Sequence, residues 1–192
     1  MRRRWRPVRD AVDTVAEFSN QGTDTVRTSL ASYELPRKVE NLAYFNASIV
    51  DDNPPLRPDD NFKGLGNLHA NHISGGNGDD HLAGLTGNDT LQGGAGSDTF
   101  YFTAGTGRDI VRDFVPDSVA ASAVFAASGG ADQISIYAIA ARDTWAEVQA
   151  NMSQVREGVL ISLGSDSSIL LAGVKMSDLS AIDFVFAPPP SA

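Results

Sequence analysis

Cysteine is absent from this chain of 192 residues. Disulfides, thiolate metal sites and cysteine nucleophiles are therefore excluded. The chain also lacks a long apolar run, so we expect no segment that inserts into a membrane. The basic start, MRRRWRPVRD, is not followed by the apolar stretch that a cleaved export signal requires. We expect residues 1–9 to be a disordered basic start.

Basic residues are scarce after that start. The chain has 15 Lys and Arg against 24 Asp and Glu, a formal net charge of -9. Five of these bases precede Asp10, which leaves ten bases against twenty-four acids in the rest of the chain. Such a surface repels nucleic acid and anionic lipid, because both bind clustered Lys and Arg. The charge balance therefore favours cations as partners, and it does not predict an oligomeric state.

Glycine is concentrated in one region and divides the chain into parts. Twelve of the 18 glycines lie between Gly64 and Gly107. We therefore divide the chain after its basic start into a region of degenerate repeats and strands at 10–63, a glycine-rich block at 64–107 and a C-terminal cap at 108–192.

The two flanking parts contain short predicted elements. In the first part, Asp-Thr-Val occurs at 13–15 and again at 24–26, and a Pro-rich exposed loop is predicted at 51–60. The predicted features of the cap are an inserted loop at 118–130, a short helix at 144–155, and strands at 159–163 and 168–172 joined by a hairpin loop. The chain closes with Asp183-Phe184-Val185-Phe186 and a Pro-rich tail.

The glycine-rich block repeats with a period of nine residues. Three full copies, at 75–83, 84–92 and 93–101, have Gly at positions one and four, Asp at six and a large apolar residue at eight. A weaker copy precedes them at 66–74. The residues at position six are Asn71, Asp80, Asp89 and Asp98, and those at position eight are Ile73, Leu82, Leu91 and Phe100.

This pattern predicts an all-β chain built around a parallel β-roll, or β-helix. The glycines allow a tight turn, and the next three residues form a short strand whose middle side chain points inward. Two repeats then complete one coil, so Leu82 and Phe100 lie on one side of a thin core and Leu91 faces them. The small C-terminal cap is expected to be rich in strands, with one short helix.

Stacked coils bring repeats two apart onto the same edge. Asp80 and Asp98 should therefore lie one coil apart, as should Asn71 and Asp89. Carboxylates about 5 Å apart, the spacing of neighbouring strands, repel one another strongly. A calcium ion relieves that repulsion, because it accepts six to eight oxygens from carboxylates and backbone carbonyls at irregular angles, whereas magnesium requires a stricter octahedron.

The nonapeptides resemble the hemolysin-type, or RTX, calcium-binding family. In that family one turn supplies the carbonyls of positions two and four with its Asp, and the turn two repeats later supplies those of positions one and three with its own Asp. The resemblance implies a first site from Gly76, Gly78, Asp80, Gly93, Ala95 and Asp98. It implies a second, weaker site from Asn67, His69, Asn71, Gly84, Thr86 and Asp89, and a third from Leu85, Gly87, Asp89 and the region of Asp109.

The resemblance also implies a function. Where calcium is scarce, inside the cell, the acidic coils should repel one another and stay unfolded, and outside the cell calcium ions should bridge neighbouring turns and let the roll form. The pair of strands in the cap, followed by Gly173-Val174 and 183–186, looks like the C-terminal region that type I secretion systems recognise. We therefore expect a secreted chain without a cleaved signal peptide, whose partners are calcium ions and the secretion apparatus. The chain carries no catalytic motif, so we expect no enzymatic activity from these residues.

Alternative interpretations remain open at this point. Glycine-rich repeats are often flexible linkers, and Asp in such turns is often only a turn former. The three histidines, His69, His72 and His81, could suggest zinc, and paired carboxylates could suggest glycoside chemistry. No nucleophile-elbow pattern for a serine hydrolase surrounds any Ser. The chain could also be the C-terminal fragment of a secreted protease, lipase or epimerase, or a surface adhesin module.

Overall fold

The computed structural model describes residues 5–8, 22–44, 61–120, 130–139, 142–164 and 166–187, with side chains described from residue 22 onward. Most of the described elements are short strands. They are β1 (Trp5–Val8), β2 (Thr25–Thr28), β3 (Ser32–Glu34), β4 (Asn41–Tyr44), β5 (Lys63–Asn67), β6 (His72–Asn77), β7 (His81–Leu85), β8 (Thr90–Ala95), β9 (Thr99–Phe102), β10 (Arg108–Val111), β11 (Gln133–Ile136), β12 (Met152–Val155), β13 (Gly158–Ser162), β14 (Ser168–Ala172) and β15 (Phe184–Val185).

Within the residues that the structure describes, helical structure is limited to four short pieces. Two are α-helical, α1 (Asp117–Ala120) and α2 (Trp145–Gln149), and two are 3₁₀ turns at Met176–Asp178 and Ala181–Asp183. No helix in the described ranges is long and apolar enough to cross a membrane.

The strands form two sheets that share one coiling path. One sheet has the order β1-β2-β4-β6-β8-β10-β14-β13-β12, and the other has the order β15-β11-β9-β7-β5-β3. The strands of the glycine-rich block alternate between the sheets, β6 and β8 in the first and β5, β7 and β9 in the second. All of these neighbours are parallel, and among the described strands the antiparallel pairs are the hairpins β12–β13 and β13–β14. The predicted all-β parallel roll is therefore confirmed.

The register follows the nine-residue period. Ile73 pairs with Leu91 in one sheet, and Leu82 pairs with Phe100 in the other. All four side chains are fully buried. Because the position-eight side chain of each repeat points inward, the two sheets face each other across a core about one side chain deep on each side, as the repeat predicts.

The core continues beyond the glycine-rich block at both ends. Val26 and Leu42 extend it on the N-terminal side, and Val111, Ile134 and Ile169 extend it towards the cap. The same parallel coil therefore begins before residue 64 and continues after residue 107, so the block is the middle of a longer roll.

Two predictions about local structure are wrong. Residues 5–8 form strand β1, paired in parallel with β2, where disorder was expected for 1–9. The backbone hydrogen bonds of an added sheet strand depend little on side-chain type, which is why the basic sequence did not reveal it. The helix predicted at 144–155 ends at Gln149, because Met152–Val155 pairs with β13 as an antiparallel strand.

Several other predictions have a simple outcome. The two strands of the cap and their hairpin are confirmed by the antiparallel pair β13–β14. The closing segment at 183–186 contains the two-residue strand Phe184–Val185. Within the predicted inserted loop, Asp117–Ala120 forms α1, and 121–129 lies outside the described residues. The Asp-Thr-Val copy at 13–15 and the Pro-rich loop at 51–60 also lie outside them.

Candidate calcium-binding turns

The turns of the roll stack along two edges. We call one the Asn71 edge, on which successive turns end at Asn71, Asp89 and Asp109. The other is the Asp80 edge, on which they end at Asp80, Asp98 and Asp132. Repeats two apart therefore share an edge, as the coil model of the sequence predicts.

A ladder of hydrogen bonds fixes the position-six side chains on both edges. On the Asp80 edge, the Asp80 backbone N–H donates to Oδ1 of Asp98 at 2.9 Å, and the Asp98 N–H donates to Oδ1 of Asp132 at 2.9 Å. On the Asn71 edge, the Asn71 N–H donates to Oδ1 of Asp89 at 2.7 Å, and the Asp89 N–H donates to Oδ1 of Asp109 at 2.9 Å. Each carboxylate is thus held against the turn of the preceding coil.

The position-five side chains form a second ladder in the opposite direction. Oδ1 of Asn61 accepts from the Asp79 N–H at 2.8 Å, Oδ1 of Asp79 from the Ser97 N–H at 2.8 Å, and Oδ1 of Asn88 from the Arg108 N–H at 2.9 Å. An amide serves here as well as a carboxylate does. Position five is therefore structural, and a negative charge is not needed there.

Position six differs because its carboxylates are removed from water. Asp80, Asp89, Asp98, Asp109 and Asp132 are each at most 3% exposed. Burial raises the pKa of Asp89, Asp98 and Asp132 to about 7 and that of Asp109 to about 6. Backbone N–H groups oppose this rise, and neighbouring carboxylates add to it at Asp89, Asp98 and Asp132. Near neutral pH these carboxyls are therefore only partly ionised, and a bound cation would favour their ionised form.

Backbone carbonyls face the same gaps between coils. The glycines Gly94 and Gly96 have φ of 111° and 129°, and a Cβ on either would run into the carbonyl oxygen of Gly76 or Gly78 in the preceding coil. The Gly93 oxygen points back towards Gly75, beside Oδ2 of Asp80. The first predicted site thus brings together two carboxylates and at least three carbonyls, the mixed oxygen set that calcium prefers.

One carboxylate oxygen gives a more direct indication. Oδ2 of Asp89 is buried and makes no hydrogen bond. Buried polar atoms in folded proteins almost always have a partner, so this oxygen is available to bind an ion or a water. Since a carboxylate oxygen only accepts when it is ionised, a metal ion is a fitting partner.

Residues 74–111 match the family described as the RTX calcium-binding nonapeptide repeat, in four copies. This segment is an RTX repeat region. It covers about one fifth of the chain, since 38 of 192 residues match. Among curated proteins, no sequence matches the chain. The RTX match and the stacked turns together support a calcium-binding module of the β-roll type.

The RTX turns differ in how closely they follow the predicted ligand geometry. Gly76 pairs with Gly94 and Asn77 with Ala95, so the residues of the first site are in register. At the second site, the oxygens of His69 and Gly84 face the neighbouring coil, against Gly87 and Gly66.

The second site nevertheless departs from the prediction. The Asn67 oxygen already accepts from the Thr86 N–H at 3.4 Å. Oδ1 of Asn71 accepts from the Asn67 N–H at 2.8 Å. These two atoms are therefore engaged within the protein, and the ligand role assigned to them is not favoured.

The third site remains close to the prediction. Leu85 has a φ of 70°, like a glycine at the same position, and the Gly87 oxygen lies against Gly107 in the following coil. Asp109 provides the carboxylate above Asp89. The coordination of an ion by any of these residues stays a prediction.

Two acidic residues on the Asp80 edge were missed. Asp113 accepts from the N–H groups of Gly93 and Gly94, both at 3.0 Å. Asp132 accepts from Asp98 and also from the Val115 N–H at 2.8 Å. Asp132 follows Asp98 by 34 residues rather than 18, so the nine-residue period could not find it. The available signal was the Asp-x-Ile pattern of residues 132–134, which repeats positions six to eight.

The zinc alternative is not supported by the described residues. His72 lies on β6 and His81 on β7, so these two histidines are in different sheets. His81 Nδ1 instead lies 2.8 Å from the Tyr101 hydroxyl. Across the described ranges, no three His, Cys, Asp or Glu side chains are grouped to hold a metal ion. A cation on either edge would therefore depend on backbone carbonyls in addition to aspartate, as the RTX turn provides.

Proposed function

We propose that this chain is a calcium-switched folding module that assembles its roll outside the cell and supports export by a type I secretion system. The observation that carries the proposal is the buried Oδ2 of Asp89, which has no hydrogen-bond partner inside a stack of carboxylates. Without a cation, the roll must either protonate Asp89, whose pKa burial raises to about 7, or bury its charge without a counterion. With calcium, the same carboxylates become ligands.

The energetic scale fits a switch. Extracellular calcium modules bind with Kd of about 10⁻⁴ to 10⁻³ M. A site that binds only the folded chain stabilises it by roughly 1.4 kcal/mol for each tenfold excess of calcium over Kd. Three such sites at tenfold excess would supply about 4 kcal/mol, which is a large part of the stability of a small domain. Inside a cell, where free calcium is scarce, that contribution disappears.

Export is supported by sequence features of the cap. The cap at 108–192 lacks the RTX glycines, and it contains the meander β12–β13–β14 and the closing strand β15. We propose that this region addresses the chain to the exporter, that the chain is extracellular, and that its own residues perform no catalysis. Nothing in this role requires a reaction centre.

Calcium-dependent folding is tested by far-UV circular dichroism of the full chain. Spectra are recorded in a chelator, in 10 mM magnesium and in a calcium series up to about 10 mM, the upper end of the expected working range. We expect the β-rich spectrum and a cooperative melting transition in calcium only. Identical spectra in chelator and calcium would overturn the folding proposal.

Export is tested separately with the full chain and a variant that lacks residues 173–192. Both are expressed with a type I exporter, and the medium and cells are assayed for the tagged chain. Appearance of only the full chain in the medium supports the proposal. Equal export of both chains, or retention of both, contradicts it.

A further inference from the structure

The first RTX-like turn, at 66–71, stacks on a preceding coil that is not glycine-rich and that we call the lower coil. Pairing of Asn41 with His72 places Glu40 directly beneath Asn71 on the Asn71 edge. The turn of that lower coil includes Lys38, whose φ of 73° matches the left-handed conformation of the position-four glycines. The lower coil therefore has a similar turn, but a different sequence.

Two asparagine amides connect these coils. Nδ2 of Asn67 donates to the oxygens of Pro36 and Val39, both at 2.9 Å. Nδ2 of Asn71 donates to the oxygens of Val39 and Glu40, at 3.2 and 3.3 Å. Three carbonyls of the lower turn, Pro36, Val39 and Glu40, are thus satisfied by N–H donors.

The acceptor sides of the same amides are also engaged. Oδ1 of Asn67 accepts from the His69 N–H at 2.9 Å, and Oδ1 of Asn71 accepts from the Asn67 N–H at 2.8 Å. Both side chains are about 95% buried, since Asn67 is 5% exposed and Asn71 is 4% exposed. This junction is therefore saturated, in contrast to the next one along the edge, where Oδ2 of Asp89 has no hydrogen-bond partner.

The backbone of the turn at 66–71 also differs from the backbone of the later repeat turns. At position two, Gly76, Leu85 and Gly94 have φ of 124°, 70° and 111°. The described non-glycine residues with positive φ are Lys38, Leu85 and Ala138, so Asn67 does not share this conformation. The turn at 66–71 thus departs from the metal-turn backbone at the residue whose side chain bonds to the lower coil.

We propose that the Asn67 and Asn71 amides replace a cation at this junction, so that the lower coil joins the roll without metal and calcium binding begins at Asp89. The amide N–H groups supply the positive partner that the carbonyl oxygens would otherwise find in an ion. The match to the RTX family starts at residue 74, above this junction. The inference rests on the proposed function for the calcium sites above, and it assigns to residues 22–44 the role of a metal-independent base for the roll.

The test converts the amide junction into a metal junction. The double variant Asn67→Gly, Asn71→Asp introduces at positions two and six the residue types of the first full copy, where Gly76 and Asp80 stand. The single variant Asn71→Asp keeps the two hydrogen bonds from Asn67 and is the milder change. Asp89→Asn is the matched control, because it makes the reverse exchange one coil higher on the same edge.

Calcium stoichiometry by calorimetry is the first readout. We expect the double variant to bind one more ion than the wild-type chain, and Asp89→Asn to bind at least one fewer. The second readout is the melting temperature in chelator, with trimethylamine oxide added to all samples to stabilise the folded state. There, both Asn71 variants should melt lower by roughly 4 °C or more, and they should recover in saturating calcium.

The possible results separate the two proposals. An unchanged ion count together with an unchanged melting temperature in chelator would overturn the amide junction. Loss of folding in both chelator and calcium would also overturn it, because a cation would then not substitute for the amides. If the wild-type chain binds no calcium, the proposed function fails, and the melting temperatures in chelator alone decide whether the amides hold the junction.

Discussion

Neutralising Asp98 should change stability in opposite directions with and without calcium. The carboxyl is 1% exposed, and its Oδ1 accepts the Asp80 N–H. Asn at this position retains that acceptor and removes the charge. In chelator, Asp98→Asn should therefore stabilise the roll, whereas in calcium it should weaken the first site and destabilise the roll.

The size of the effect without metal follows from the raised pKa of Asp98. Burial is the main cause of the increase from 3.8 to about 7, and the Asp113 and Asp79 carboxylates add to it. Each pKa unit corresponds to about 1.36 kcal/mol, so ionised Asp98 costs the folded chain up to about 4 kcal/mol at pH 8. The new amide N–H groups also need partners, which makes about 4 kcal/mol an upper bound for the gain.

The assay is urea unfolding at pH 8, followed by circular dichroism, in chelator and in calcium. A fixed concentration of trimethylamine oxide gives both proteins a folded baseline without metal. In calcium we expect at least a tenfold loss of affinity at this site, or about 1.4 kcal/mol. The control is Asp79→Asn, which makes the same charge change at an exposed position where Asn occurs in other turns.

A result with the same sign in both conditions would refute this reasoning. If Asp98→Asn destabilised the chain equally in chelator and in calcium, the carboxylate would act only as a structural acceptor. The Asp79→Asn control also removes the smallest contribution to the raised pKa of Asp98, so it should stabilise the chain in chelator by much less than Asp98→Asn does. In calcium its effect should be small, because exposed substitutions are usually within about 0.5 kcal/mol.

Three further outcomes are expected. The folded-state pKa values of four buried carboxyls, Asp89, Asp98, Asp109 and Asp132, are raised from 3.8 to about 6 or 7. Their favourable contribution is therefore complete below about pH 4 and is lost as pH rises through 6 to 7, so circular dichroism in chelator should show more folded chain at pH 5 than at pH 8. Gly96→Ala should abolish the calcium-induced transition, because its Cβ would meet the Gly78 oxygen. The control Gly105→Ala, with φ of 80° and no atom within 4 Å of its Cβ, should lower the free energy of unfolding by only about 1 kcal/mol in a urea titration. Leu91→Ala should cost about 2–5 kcal/mol in calcium because Leu91 is fully buried, whereas Leu68→Ala, 59% exposed, should stay within about 0.5 kcal/mol.

The roll was predictable from sequence because its period is visible in the chain. Glycine at fixed positions sets the turn, and one apolar residue per repeat sets the register, so Ile73, Leu91, Leu82 and Phe100 could be assigned to their sheets. The pairing of Asp80 with Asp98 followed from the same count. In a regular repeat, residues in contact are separated by a fixed number of positions, so the contact can be predicted from the sequence.

The remaining features could not be read in this way. Asp132 completes the Asp80 edge from beyond an insertion, so its distance along the chain does not follow the period. The helix predicted at 144–155 failed because apolar residues at 148, 152 and 155 satisfy helical spacing, although the last two lie in a strand of a tight hairpin. The engagement of Asn67 and Asn71 depends on carbonyls of a degenerate coil about 30 residues earlier, for which no repeat gives a register.

The most direct test of the account is a crystal structure of the full chain grown in calcium, with anomalous data collected at long wavelength. We predict an anomalous peak between the Asp80 and Asp98 turns, with carboxylate and carbonyl oxygens at about 2.3–2.6 Å, and no peak between Glu40 and Asn71. A folded roll without a peak on either edge would contradict the claim that stacked RTX turns of this chain share calcium ions.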